Sequence, residues 1–298
     1  MKTLFTMASP TLVHHDAMSM SDLIDVDRYP LDHPDSARYR TAVGTARAQL
    51  RSDGCAVIKE LIRPEALSIL STEIVERKPT THFSTQTMNP YFHTEHNPDY
   101  SDGHPVNTFL ERSSGFIPGD SWEPGCATDV VFRAPSLTRF LADCLEIAEL
   151  HCYADPLAGL TANILEPGQQ FTWHFDTNDY TITLAIQMAE EGGAFEYAPN
   201  IRSAHDENFA EVTRVLDGTS DRVVSLELAP GDLQIFRGRH SLHRVTPLAG
   251  ERARHVGIFS YVDEPDMVAS PERCRQLYGR VLPIHLERAG HRQDSLID

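Results

Sequence analysis

From about residue 150 to 262 the chain is cut into short pieces. GLTANILEPG, FTWHFD, YTITLAIQM, GGAFEYAP, DRVVSLELAPG, DLQIFRG, SLHRVTPL and RARHVGIFSYV follow one another with Gly, Pro and Asp as punctuation. Many of their residues are β-branched or aromatic, types that pack well on a pleated surface. A succession of strands this short predicts an antiparallel double sheet, the jelly roll or double-stranded β-helix that cupin-like proteins also use. The expected class is therefore mainly β with flanking helices.

The rest of the chain frames that core. Residues 1–35 read as a flexible arm. Residues 36–150 read as a helical and loop part: a helix over 36–52, a break at Asp53-Gly54, a strand over 55–62, and a helix over 64–78 with Pro64 in its first turn. Residues 79 to about 132 are rich in His, Asn, Pro, Gly and Ser and are expected as long loops carrying part of an active-site lid. A helix follows over 134–147, with Ser136 as its N-cap. The core spans 151–265, and 266–298 holds a covering helix (271–287) and a polar tail. All of this fits one globular domain of 298 residues.

Charge excludes some partners. A formal net charge of −17 leaves nothing to neutralise phosphates, so neither nucleic acid nor an anionic membrane is expected. Five cysteines without a Cys-x-x-Cys pair read as reduced thiols rather than a disulfide framework or zinc knuckle. No apolar run approaches a membrane span, and the N-terminus lacks a continuous apolar region, so the expectation is a cytoplasmic protein. The oligomeric state is left open, a homodimer included.

Chemistry concentrates at Trp173-His174-Phe175-Asp176. Residues i and i+2 of a strand face the same side, so His174 and Asp176 offer an imidazole and a carboxylate to one cavity. Two other His-x-Asp tripeptides, at 14–16 and 33–35, fall in the arm, and Pro34 argues against a paired strand there. Downstream, His243 in LHRVTP is the natural third ligand; His240, three residues earlier, points elsewhere. Two His and one carboxylate form a facial triad that suits Fe(II) and leaves positions open.

Arg252 and Arg254 share one parity on the following strand, and a guanidinium there can grip a carboxylate bidentately. A turn centred near Leu248–Ala249 sets Arg254 across from His243, whereas the Gly250-Glu251-Arg252 spelling favours Arg252; both are retained. Asn163 is a candidate donor to a cosubstrate or the satisfier of a strand end. Trp173 faces away from His174, into packing. Thr177, Asn178 and Asp179 follow the ligand strand as substrate contacts or turn caps. His93, His96 and His104 read as polar lid residues rather than a second metal site.

WHFD at 173–176, the strand pair TITLAIQM and GGAFEYAPN, and PGDL…HRVTP…GER together resemble the Fe(II)/2-oxoglutarate-dependent dioxygenases over about 155–262. YADPLAGLTANILEPGQ, WHFDTND, EYAPNIRS and RGRHSLHRVTP look like the branch of free amino-acid halogenases and related hydroxylases. The resemblance implies Fe(II), 2-oxoglutarate and O₂ as cofactor and cosubstrates, with a small molecule such as a free amino acid as substrate. Halogenases of that branch carry Gly or Ala in place of the carboxylate ligand, which makes room for halide. Asp176 therefore implies hydroxylation rather than radical halogenation. Two rivals remain: a non-catalytic cupin-like metal-binding module, and a zinc hydrolase using the same ligands.

Overall fold

The computed structural model describes residues 18–178, 180–288 and 296–297. Its strands are β1 (Cys55–Ile58), β2 (His82–Met88), β3 (Leu110–Ile117), β4 (His151–Cys152), β5 (Leu160–Leu165), β6 (Phe171–His174), β7 (Tyr180–Gln187), β8 (Glu191–Gly192), β9 (Phe195–Ala198), β10 (Val224–Leu226), β11 (Leu233–Phe236), β12 (Leu242–Val245), β13 (Leu248–Ala249) and β14 (Arg254–Val262). The helices are α1 (Met20–Leu23), α2 (Ala37–Asp53), α3 (Pro64–Arg77), α4 (Ala127–Arg133), α5 (Pro135–Leu145), α6 (Phe209–Leu216), α7 (Pro271–Tyr278) and α8 (Pro283–Glu287).

The large sheet runs β1-β11-β7-β14-β5-β3-β2, with β4 also on β14, and the facing sheet runs β10-β9-β12-β6. Neighbouring strands pair antiparallel throughout. This is the expected jelly-roll core, and each of the eight segments read from the sequence supplies a strand. Alternation divides the large sheet. Leu160, Ala162, Ile164, Phe259 and Tyr261 pack outward with Val43, Leu50, Leu70 and Leu141 of the helices. Thr161, Ile258 and Ser260, on the opposite parity, face the space between the sheets.

Several expectations need correction. Residues 18–35 are not a loose arm: Leu23 and Ile24 are fully buried and Leu31 nearly so, and an Ile24–Ile62 bridge ties the segment down. Residues 1–17 lie outside the described residues. The stretch from 79 to 132 is not loop throughout: β2 and β3 pair along their length and extend the large sheet beyond β5. Its strand β2, HFSTQTM, alternates half-buried and exposed positions with mostly polar side chains, so it carries little hydrophobic signal. The N-cap of α5 is Ala134, with Pro135 as the first helical residue; Ser136 sits inside the first turn. The covering helix over 271–287 is two helices. Gly279 ends α7 at φ +70°, where an added Cβ would run into the His82 ring. Helix α6, between β9 and β10, was not anticipated.

The C-terminal helices are fastened by a buried clasp. Asp155 accepts from the N–H groups of Leu157, Ala158 and Ala269 at 2.7–2.8 Å. The Leu282 N–H donates to His285 Nδ1 at 3.0 Å, so the proton sits on Nε2, which reaches Asp155 Oδ2 at 3.1 Å.

Candidate functional site: a two-histidine, one-carboxylate centre

The facing sheet brings the three predicted donors together. β12 pairs with β6 so that His243 lies directly across from His174, their rings 4.0 Å apart. Beyond β6 the alternation continues for two residues. Phe175 turns outward onto Tyr91 at 5.6 Å, and Asp176 returns to the side of His174. Asp176 is pinned by its N–H donating to the Gly238 carbonyl at 3.1 Å. Its Oδ1 then stands 3.7 Å from His174 Nε2 and 3.4 Å from His243 Nε2.

The hydrogen bonds set the tautomers. His174 Nδ1 donates to the Thr172 carbonyl at 2.7 Å and His243 Nδ1 to the Ser241 carbonyl at 2.9 Å. Both Nε2 lone pairs therefore face the carboxylate, and a backbone carbonyl behind each ring is the usual support of a metal-binding imidazole. Burial holds His174 neutral, well below the ordinary histidine range, and the neighbouring His243 adds to this. Burial by itself would raise the Asp176 pKa; His243 and His174 outweigh it and bring it to about 2. Asp176 Oδ2 is buried without a hydrogen-bond partner, a costly state unless a cation completes it. This set of two nitrogens and one oxygen fits Fe(II) or a similar divalent metal.

Aromatic rings enclose the centre. Phe171 stacks on His174 at 4.0 Å, and Phe236 stands edge-on to His243 at 4.8 Å. Gly238, in the β11–β12 turn, leaves the room that the carboxylate occupies: a Cβ there would overlap Asp176 Oδ2. Neither Gly238 nor the Arg273 guanidinium, which lies at the cavity, was anticipated. Gly238 stands out only as a glycine close to the ligand strand, and Arg273 has no signal in the sequence.

The two candidate arginines separate. Arg252 is exposed, whereas Arg254 is 4 % exposed at the start of β14. Arg254 does not lie across from His243, because β12 and β14 belong to different sheets. It shares the inward parity of Ile258 and Ser260. Its Nε has no partner, no ion pair to it occurs among the described residues, and burial lowers its pKa to about 10. Asn163 lies on the inward parity of β5, where its Nδ2 donates to the Gly115 carbonyl at 3.2 Å. Trp173 is buried away from the donors beneath Arg244, as expected.

Thr177 and Asn178 line a cavity of about 90 Å³ together with Asp176, Phe171 and Arg273; Asp179 is outside the described residues. His104 stacks on Tyr100 and meets Phe209 edge-on, and His96 lies 3.1 Å from Asp102. Among the described residues, converging metal donors occur at His174–Asp176–His243 and at Asp155–Cys274–His285. The second set is the clasp, whose imidazole and carboxylate are already engaged with each other and with backbone N–H groups. No described helix is long and apolar enough to cross a membrane.

Comparison with known proteins agrees with this architecture. The chain superposes on a 2OG-Fe(II) oxygenase-family oxidoreductase from Burkholderia pseudomallei with TM-score 0.51 and 12% identity, covering 75% of this chain and 92% of that one. AviO1 from Streptomyces viridochromogenes Tue57 gives 0.51 and 19%, covering 74% and 94%. The α-ketoglutarate-dependent carbocyclase SnoK from nogalamycin biosynthesis gives 0.52 and 13%, covering 75% and 83%. These likenesses establish the fold, that of the 2-oxoglutarate/Fe(II) oxygenases. No curated protein sequence matches the chain. The profile of the family described as Halogenase D matches residues 123–277, more than half of the chain and the whole of the donor centre, and the chain belongs to that family.

Proposed function

We propose that the chain is an Fe(II)- and 2-oxoglutarate-dependent oxygenase that hydroxylates an unactivated C–H bond of a small molecule, a free amino acid or a derivative. The observation that carries this reading is the Asp176 carboxylate, poised beside two imidazoles with one oxygen unpartnered. In this reading His174, Asp176 and His243 hold the metal, and Arg254 grips the distal carboxylate of 2-oxoglutarate. Bound iron with 2-oxoglutarate and O₂ supplies the oxidising power, with succinate and CO₂ as by-products. The chain's own residues orient and exclude: Thr177 and Asn178 contact the substrate, Asn163 braces the strand beside the cosubstrate, and Phe171 and Phe236 keep water from the donors.

Fe(II) and 2-oxoglutarate added without air should give a weak visible charge-transfer band. Admitting O₂ with a substrate should then yield succinate and a product 16 Da heavier. Absence of the band favours a metal-binding module of the cupin type. Turnover with zinc and without O₂ favours a hydrolase. Family membership supports a second reading, halogenation on the same scaffold. Asp176 opposes it, because three protein ligands leave no vacancy for halide once both cosubstrates bind. Product mass in the presence of chloride decides between the two.

A further inference from the structure

Besides Asp176, the described lining of the cavity carries one charge, the Arg273 guanidinium from the first turn of α7. Its central carbon lies 3.3 Å from the centroid of the Phe92 ring, and that ring stands 5.3 Å from His174. Gln276, one turn further along α7, accepts from Arg273 Nη1 at 3.3 Å and donates to the Phe92 carbonyl at 3.1 Å. The guanidinium is thus laid flat on an aromatic face, which leaves its in-plane N–H groups as donors.

Asp176 is the acidic group of the same lining, and its carboxylate acts on Arg273 from a distance. Among the described residues no carboxylate pairs with Arg273. A second guanidinium, Arg112, lies 5.5 Å from the Phe171 ring, fully buried. It is held by Ser84 Oγ at 2.6 Å and the Gln276 carbonyl at 3.3 Å, also without an acidic partner. Burial and then Arg112 bring Arg273 down to about 9, and burial brings Arg112 down to about 10. Two buried guanidiniums without a directly paired carboxylate among the described residues are expensive unless an anion arrives. Arg254 is not that cavity's anchor. It precedes Ile258, which lines the cavity, by four strand residues, roughly 13 Å along β14.

We infer that Arg273 is a second anion subsite, which binds the carboxylate of the substrate and so selects carboxylate-bearing small molecules. This rests on the oxygenase reading for the word substrate, but not for the binding itself. A planar carboxylate matches the free edge of a stacked guanidinium bidentately. The hydroxyl-bearing and apolar walls then receive the rest of the molecule.

The test is calorimetric titration of the anaerobic Fe(II)/2-oxoglutarate protein with the twenty proteinogenic L-amino acids and their α-carboxamides. At least one acid should bind, and its amide at least tenfold more weakly. Arg273→Gln should lose a similar factor for the acid and cease to distinguish acid from amide, while Arg273→Lys recovers part of the difference. Thermal unfolding of both variants guards against a folding defect. Three results overturn the inference: no acid binds, the glutamine variant still discriminates, or the substitution weakens 2-oxoglutarate rather than the amino acid. If the wild type gives no charge-transfer band, the oxygenase reading has failed; the same acid–amide comparison on the metal-free protein still decides the role of Arg273.

Discussion

At the scale of the residue, Asp176 and Gly238 form one unit. The carboxylate fits against the donors only because position 238 lacks a side chain. Gly238→Ala is expected to push the carboxylate aside and weaken Fe(II) binding at least tenfold, read by titration of the anaerobic protein. The double variant Asp176→Gly/Gly238→Ala removes the overlap and should regain thermal stability without regaining three-ligand iron. Unchanged iron affinity in the single variant would show that the carboxylate does not need that space. The arginines give a second contrast. Loss of the buried Arg254 guanidinium in Arg254→Gln should weaken 2-oxoglutarate by about 1.5–3 kcal/mol, roughly 10- to 150-fold. Arg252→Gln, at an exposed position, should change it less than twofold. Equal effects would return both arginines to candidacy. His174, Asp176 and His243 were legible because strand alternation is a local rule. Gly238 and Arg273 were not, because their roles exist only once the β11–β12 turn and α7 are folded against the ligand strand.

At the scale of the element, the buried clasp explains how short C-terminal helices hold a place over the cavity. α7 has eight residues and α8 five, too few to be stable by themselves. Asp155 is fully buried with its oxygens shared among three backbone N–H groups and His285. His285→Ala removes one hydrogen bond to a buried carboxylate and should cost about 1.5–3 kcal/mol in urea unfolding. It should also make the chain more readily cleaved by protease near 279–283. A loss below about 0.5 kcal/mol would mean that water or another group replaces the imidazole. The sequence reading missed the division of this region and the β2–β3 hairpin for the same reason. Both depend on contacts between segments remote in sequence: Gly279 is required by the ring of His82, and β2 is held by β3 despite its polar composition. The strands from 160 to 262 were legible because their apolar alternation is written residue by residue.

At the scale of the whole molecule, two opposite pH effects meet. The net charge of −17 makes the folded chain repel itself, and acid relieves that repulsion. Against this, burial lowers the pKa of His82, His104, His174 and His255, and both ring nitrogens of His255 lack a hydrogen-bond partner. A histidine held neutral in the folded state binds fewer protons than in the unfolded state at pH values below about 6.5. Its contribution to stability is therefore complete above that pH and is lost as the pH falls towards the depressed folded value. Salt separates the two effects, since about 0.5 M screens surface repulsion over distances beyond a few ångströms but hardly reaches buried imidazoles. The metal-free protein in high salt should lose several degrees of thermal midpoint between pH 7 and 5.5, about 1 kcal/mol corresponding to roughly 2–4 °C in a chain of this size. His255→Gln should shrink the drop by removing one of the titrating groups. A midpoint that stays level or rises in high salt would mean that these rings are protonated without penalty, and the close packing around His174 and His255 would then be wrong.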